Sequence, residues 1–254
     1  MPLFVTILLY IIIFLYGIVI GSFLNVCIFR LPNHESLLPS SHCMSCGSRL
    51  HWYDLFPVFS YLLLKGRCRY CKAKVSWQYP IVELFNGIVY VIVFMANGTN
   101  LQSVVYCLMA SALIVITVID ERTYEIPVEL NLFLLGLGIV MCIIDHANWM
   151  EHLIGLAAVS VPLHLLYLIS GGRAIGGGDI KLMAAAGLLI GWKCIVLAFF
   201  VGCILGSVIH LCRMKFSKAE HVLAMGPYLS AGIMITALWG KNMITWYLGC
   251  LGIA

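Results

Sequence analysis

Charged residues are scarce in this sequence. Asp, Glu, Lys and Arg together make up 10% of its 254 residues, against about a quarter in an average soluble domain. Only eleven side chains are acidic. So little charge excludes a disordered segment, which stays solvated because it is polar. It also excludes a basic nucleic-acid-binding domain and an ordinary cytosolic enzyme. Several catalytic signatures are missing as well. There is no G-x-S-x-G and no H-E-x-x-H, and the glycine-rich stretch 171–179 lacks the G-K-[ST] of a phosphate loop. The eight histidines show no ligand spacing. Residues 1–26 have no basic opening and form one apolar run. That run is longer than the roughly 7–15 residues of a signal h-region, so it reads as a retained first span.

What fills the chain is hydrophobic sequence: 62% of residues, with a mean hydropathy of +1.02. A membrane-spanning helix needs about 20 apolar residues. Apolar runs fall at about 3–26, 81–96, 102–119, 127–144, 152–170, 179–191, 194–212 and 226–253. The expected fold is all-α, a polytopic membrane helix bundle of about eight spans. The run 179–191 is short, so its ends belong in protein or a wet cavity rather than in lipid. Three G-x-x-x-G pairs (Gly17/Gly21, Gly187/Gly191, Gly202/Gly206) suit close helix packing.

The basic residues orient this bundle. Cytoplasmic loops carry excess Lys and Arg. Residues 27–80 form a polar loop containing Arg30, Arg49, Lys65, Arg67, Arg69, Lys72 and Lys74. With eight alternating spans, Arg122, Arg173, Lys181, Arg213, Lys215 and Lys218 fall on the same side, leaving only Lys193 and Lys241 opposite. Both termini are therefore expected outside and the large loop in the cytoplasm, where disulfides are rare.

That loop holds four of the eleven cysteines, as Cys43-x-x-Cys46 and Cys68-x-x-Cys71. Two paired knuckles can close a tetrahedral, structural Zn²⁺ site. The spacer of 21 residues slightly exceeds the usual roughly 15–20. The halves repeat: a shift of 25 carries Cys43 to Cys68, Cys46 to Cys71, Arg49 to Lys74, Leu50 to Val75 and Trp52 to Trp77. The pattern predicts a zinc-ribbon-like loop. Redox chemistry and coincidence are the competing readings, and His42 is a further candidate ligand. The other seven cysteines lie in or beside apolar runs and read as small hydrophobes.

Two acidic residues stand out. Asp120 ends one apolar run, and Asp179 opens the short one after Gly176, Gly177 and Gly178. A charge inside a bilayer is costly, so such residues tend to be functional. The topology puts both carboxylates at the cytoplasmic end of the bundle, where they can meet. Two carboxylates in contact share a proton and titrate as a unit. The ionised one can activate water, and the protonated one can polarise a peptide carbonyl. The three glycines would let an extended substrate backbone approach. Alternatively each Asp caps a span, Asp179 as an N-cap. Glu121, Glu125 and Glu129 would share a face if their helix continued, but Pro127 is expected to break it. A proton-coupled transporter using the Asp pair as a relay would need ionisable groups at several depths. A zinc-stapled scaffold would not need the Asp pair at all.

These residues, taken together, resemble the type IV prepilin peptidases. Gly21-Ser-Phe-Leu-Asn-Val with Arg30-Leu-Pro is similar to that family's opening signature. Ser41-His-Cys-Met-Ser-Cys46 with Trp52-Tyr-Asp and Pro57 is similar to its first knuckle. Gly66-Arg-Cys-Arg-Tyr-Cys71 with Trp77, Tyr79-Pro80 and Glu83-Leu is similar to its second. Ile119-Asp120 with Ile126-Pro127, and Gly176-Gly-Gly-Asp179-Ile-Lys-Leu, resemble its two catalytic motifs. Val128-Glu129 departs from the Asp or Asn often found first after the proline. The resemblance implies a membrane aspartic peptidase with Asp120 and Asp179 as catalytic pair. Its expected substrates are prepilins or pseudopilins, cleaved at a basic leader on the cytoplasmic face of the bacterial inner membrane. The new N-terminus would then be methylated from S-adenosylmethionine, an activity the resemblance associates with the four-cysteine loop. The implied organisation is a first span at 1–26, the cysteine loop at 27–80 and the peptidase core at 81–254. The implied partners are those substrates and the lipid bilayer, without nucleic acid. Glu83 is expected either to orient the amine or to pair with a loop arginine.

Overall fold

A computed structural model describes residues 3–38, 41–216, 223–250 and 252. Lys218 and the end of the last apolar run beyond Cys250, Gly252 apart, lie outside them. The described secondary structure is helical apart from two isolated antiparallel bridges in the cysteine loop. The chain divides into two compact units, Met1–Met95 and Ala96–Ala254. Among the described residues five helical stretches are long and apolar enough to cross a membrane: Leu3–Asn33, Gln78–Asn97, Leu101–Thr123, His146–Ser170 and Trp192–Lys215. Their outer faces leave Leu3, Phe4, Ile7 and Phe200 exposed, which suits a lipid solvent. This is a multi-pass membrane protein. The three other apolar runs are also helical, but Val128–Ile144 and Gly177–Ile190 are shorter, and Gly226–Cys250 is diluted by Lys241 and Asn242.

In the first unit, α1 (Leu3–Arg30) carries no charge until Arg30 closes its last turn. After a short helix α2 (Phe59–Leu63), α3 (Gln78–Asn97) begins with Pro80 in its first turn, where a missing N–H costs nothing. The G-x-x-x-G pair of α1 packs against α3. A Cβ on Gly17 would stand 2.7 Å from the Cα of Gly87, and one on Gly21 would stand 2.7 Å from the Cα of Glu83. Polar groups fasten the same seam. Asn86 Nδ2 donates to the Gly17 carbonyl at 2.7 Å, and Asn25 Nδ2 to the Tyr79 carbonyl at 3.2 Å. Small residues and interhelical hydrogen bonds are the usual glue between helices that gain no hydrophobic energy from each other in lipid.

In the second unit, α4 (Leu101–Thr123) is the most buried helix, capped by Asn100, whose side chain accepts the Ser103 N–H at 2.8 Å. It stops at Tyr124, in the left-handed region at φ 56°, and α5 (Val128–Ile144) restarts after Pro127. The helix does not run through, so Glu121, Glu125 and Glu129 share no continuous face. Glu121 instead lies 3.5 Å from Arg213. The expected span 152–170 is two helices, α6 (Trp149–Ala158) and α7 (Ser160–Ser170). Pro162 explains the break: it lacks the N–H that would bond the Ala158 carbonyl, and its ring crowds that group. Next come α8 (Gly177–Ile190), α9 (Trp192–Phe216) and α10 (Gly226–Cys250). Glycines set the closest approaches: Gly155 of α6 faces Gly187 of α8 backbone to backbone, and Gly232 of α10 meets the Ala198 carbonyl of α9.

Candidate functional site

Asp120 and Asp179 reach the same place from different helices. Asp120 lies in the last turn of α4 and is buried, 5% exposed. Asp179 lies in the first turn of α8. It is not the N-cap, a position that falls to Gly176, three residues earlier. Both carboxylates line one cavity of about 280 Å³ with Tyr124, Glu125, Ile126, Gly176, Gly177, Gly178 and Lys181. The turn between α4 and α5 thus forms one wall and the entry to α8 the other.

The three glycines are not equivalent. A Cβ on Gly176 would come within 3.1 Å of Asp179 Oδ2, and one on Gly178 within 3.1 Å of the Ile126 Cβ. Both therefore make room inside the wall itself. A Cβ on Gly177, which also lines the cavity, would meet nothing within 4 Å. Gly177→Ala is consequently expected to fold normally. If an extended substrate lies over this residue, the variant raises KM by about tenfold, on the scale of one misplaced methyl group in a binding site. An unchanged KM for a cleaved peptide would remove Gly177 from the substrate path.

One participant was missed in the sequence. The Gly226 N–H, at the start of α10, donates to Asp120 Oδ2 at 2.8 Å. The available signal was Gly226-Pro227 opening an apolar run, the composition of a helix N-terminus with a bare first residue.

The first unit holds the cysteine cluster. The sulfur atoms of Cys43, Cys46, Cys68 and Cys71 all lie within 4.8 Å of one another, and Cys43 Sγ is 3.8 Å from Cys71 Sγ. Four sulfurs at about 2.3 Å from one ion are separated by about 3.8 Å along each edge of the tetrahedron, so the donor set fits a tetrahedral thiolate metal site. His42 is not part of the cluster and instead bridges to Arg49. The 25-residue repeat is geometric as well as compositional. The Cys43 N–H bonds the Ser48 carbonyl, as the Cys68 N–H bonds that of Ala73. The Leu50 N–H bonds the Ser41 carbonyl, as the Val75 N–H bonds that of Gly66. The bridge His42–Arg49 is matched by Arg67–Lys74.

Both knuckles need a left-handed residue at the same place, filled by Gly47 (φ 69°) in the first and Lys72 (φ 61°) in the second. A side chain in that region costs about 1–2 kcal/mol. Lys72→Gly is therefore expected to strengthen metal retention against a chelator, and Gly47→Ala to weaken it by about tenfold. Equal retention in both variants would deny the knuckles this strain.

The electrostatics within the cluster are uneven. Hydrogen bonds from Ser48 draw the Cys46 thiol down to about 6, and the Cys71 and Tyr70 N–H groups lower that of Cys68. At Cys71 the Ala73 N–H favours the thiolate, but burial and the neighbouring sulfurs prevail and push it up to about 11. Such a set is not comfortable as four anions without a cation at its centre. The two halves are also tied by charge. Arg69, inside the second knuckle, donates from Nε to Asp54 Oδ1 at 2.6 Å, and Tyr70 donates to Asp54 Oδ2 at 3.2 Å. Burial raises the Asp54 carboxyl, but Arg69, the His51 N–H and Tyr70 outweigh it and hold it below the usual carboxylate range.

Among the described residues Glu83 forms no ion pair with a loop arginine. It is buried, and its Oε2 accepts the Val58 N–H at 2.7 Å. Val58 stands at φ 60°, ψ −50°, a γ-turn conformation rare for a β-branched residue. The carboxylate clamps a strained turn of the loop onto α3.

Comparison with known proteins finds relatives along almost the whole chain. Residues 15–97 match the Bacterial Peptidase A24 N-terminal domain, and residues 107–211 match the Type IV leader peptidase family. The chain is 30% identical over 268 residues to a prepilin leader peptidase/N-methyltransferase of Aeromonas hydrophila, covering 93% of this chain and 92% of the relative. It is 30% identical over 241 residues to one of the same name from Bacillus subtilis, covering 93% and 97%. A third, from Aeromonas salmonicida, is 29% identical over 272 residues, with 94% of each chain covered. No solved structure matches. With similarity reaching across nearly the whole length of these relatives, the chain belongs to the type IV leader peptidase family.

Proposed function

We propose that this protein removes the leader peptide of type IV prepilins or pseudopilins by an aspartate-pair mechanism and then methylates the new N-terminal residue. The observation that carries the reading is the shared cavity lined by Asp120, Asp179 and the open backbone of Gly177. A water in the cavity loses a proton to the ionised carboxylate as its oxygen adds to the scissile carbonyl carbon. The protonated carboxyl donates to the carbonyl oxygen. As the intermediate collapses, the C–N bond breaks and the departing nitrogen takes up a proton from the pair. No covalent enzyme intermediate forms. We assign all eight apolar runs as spans, with both carboxylates at the cytoplasmic face of the inner membrane. In this assignment residues 1–26 are the first span, 27–80 the loop linked to methylation and 81–254 the peptidase core.

The cysteine cluster holds Zn²⁺ in this reading, through Cys43, Cys46, Cys68 and Cys71, whose sulfur spacing suits that ion. Four protein ligands leave no open position, so its role is to fold the loop. S-adenosylmethionine would supply the methyl group as an electrophilic sulfonium. Among the described residues neither unit carries a glycine-rich strand-to-helix loop to hold it, and no residues are assigned to that task.

The test is the intact mass of a prepilin after incubation with the purified enzyme and S-adenosylmethionine. Loss of the leader with gain of one methyl supports both activities. Cleavage without methylation leaves only the peptidase, and an intact prepilin refutes the reading.

A further inference from the structure

Asp120 is held from behind. The Gly226 N–H that binds its Oδ2 opens the 25-residue helix α10, and the hydrogen bond is buried. Amides in the first turn of a helix have no intrahelical acceptor, and that end carries partial positive charge. Pro227, next in the chain, has no N–H to offer, so Gly226 is the donor at this tip. The fit extends beyond one bond. A Cβ on residue 226 would stand 2.7 Å from Oδ2, 2.9 Å from Cγ and 3.0 Å from Cβ of Asp120. The aspartate therefore lies along the bare face of the glycine for the whole length of its side chain. Gly226 is not among the residues lining the cavity, so it acts on the reacting groups only through Asp120.

We propose that Gly226 is a positioning residue for peptide cleavage. The tip of α10 grips Oδ2 of Asp120 and leaves Oδ1 as the oxygen that meets water in the cavity. The inference rests on the aspartate-pair reading above. It makes the seating of α10 against α9, through Gly202 and Gly232, part of what aims the carboxylate.

The experiment is steady-state cleavage of a prepilin by the purified full-length protein. Gly226→Ala keeps the N–H but displaces the carboxylate. It is expected to lower kcat by about 100-fold, the cost of roughly 1 Å of misplacement, with KM within about threefold. Gly240→Ala is the packing control. On the same helix, its Cβ crowds Cys194 Sγ and Thr236 Cβ at 3.1–3.2 Å, about 20 Å along the axis from Gly226, and it is expected to keep the parent kcat. A kcat within threefold of the parent for Gly226→Ala, or equal losses in both variants, overturns the proposal. If Gly226→Ala is too unstable for kinetics, melting temperatures decide. The drop it causes should be smaller by about 3 °C or more when Asp120 is already Ala. Equal drops in the two backgrounds overturn the contact. Parent-rate cleavage by Asp120→Asn in the same assay would refute the aspartate pair itself, whatever Gly226→Ala does.

Discussion

Asp120→Asn and Asp179→Asn are each expected to slow prepilin cleavage by at least about 10³-fold, within the range attributed to positioned general acids and bases. Asn has the shape of Asp but can neither accept nor deliver the proton. At position 120 it still offers an oxygen to the Gly226 N–H, so the fold is expected to survive, as an unchanged melting temperature would show. The double variant is the more discriminating measurement. Two groups that act as one unit fail together, so removing both should be no worse than removing the more damaging one. Losses that multiply would mean two separate roles. A single variant that cleaves within tenfold of the parent would dismiss the pair. The structural basis is the convergence of the α4 end and the α8 start on one cavity.

Metal removal is the second large effect. Purified protein is expected to carry one Zn²⁺ per chain, and Cys43→Ser combined with Cys68→Ser to carry none. The loop should then become sensitive to protease, since its described backbone pairing is confined to two single bridges and a few turns. Metal-dependent modules of this kind unfold when the ion is withdrawn. Leader cleavage should persist while methylation is lost, because the carboxylate cavity takes no residue from the loop. Elemental analysis beside a cleavage and methylation assay reads all three. A fully folded loop without metal would show that the cysteines pack rather than ligate.

Much of this was legible in the sequence for physical reasons. Runs of apolar residues too long for a small core had to be helices in lipid, since only a helix or closed barrel satisfies its backbone there. The 25-residue repeat announced twin knuckles because equal ligand geometry needs equal local chain paths. Asp120 and Asp179 were visible because carboxylates beside apolar runs are expensive. What escaped were interactions made by the backbone. The Gly226 amide leaves no side-chain signature, and Glu83 satisfies the Val58 N–H where a charged partner was expected. The division at Val159–Ser160 was readable from Pro162, but hydropathy alone runs straight across it.

The contact of Gly155 with Gly187 has a consequence for tolerance to change. Two backbones in direct touch cannot slide or roll without opening a gap or colliding, so α8, which carries Asp179, behaves as an anvil. The exposed Glu121–Glu125 segment beside Asp120 touches much less and can absorb alteration. Variation in this protein should therefore be cheap where Val128-Glu129 already departs from the expected pattern and forbidden at the anvil's seat. A designer seeking altered substrate choice would start on the side of the cleft that gives.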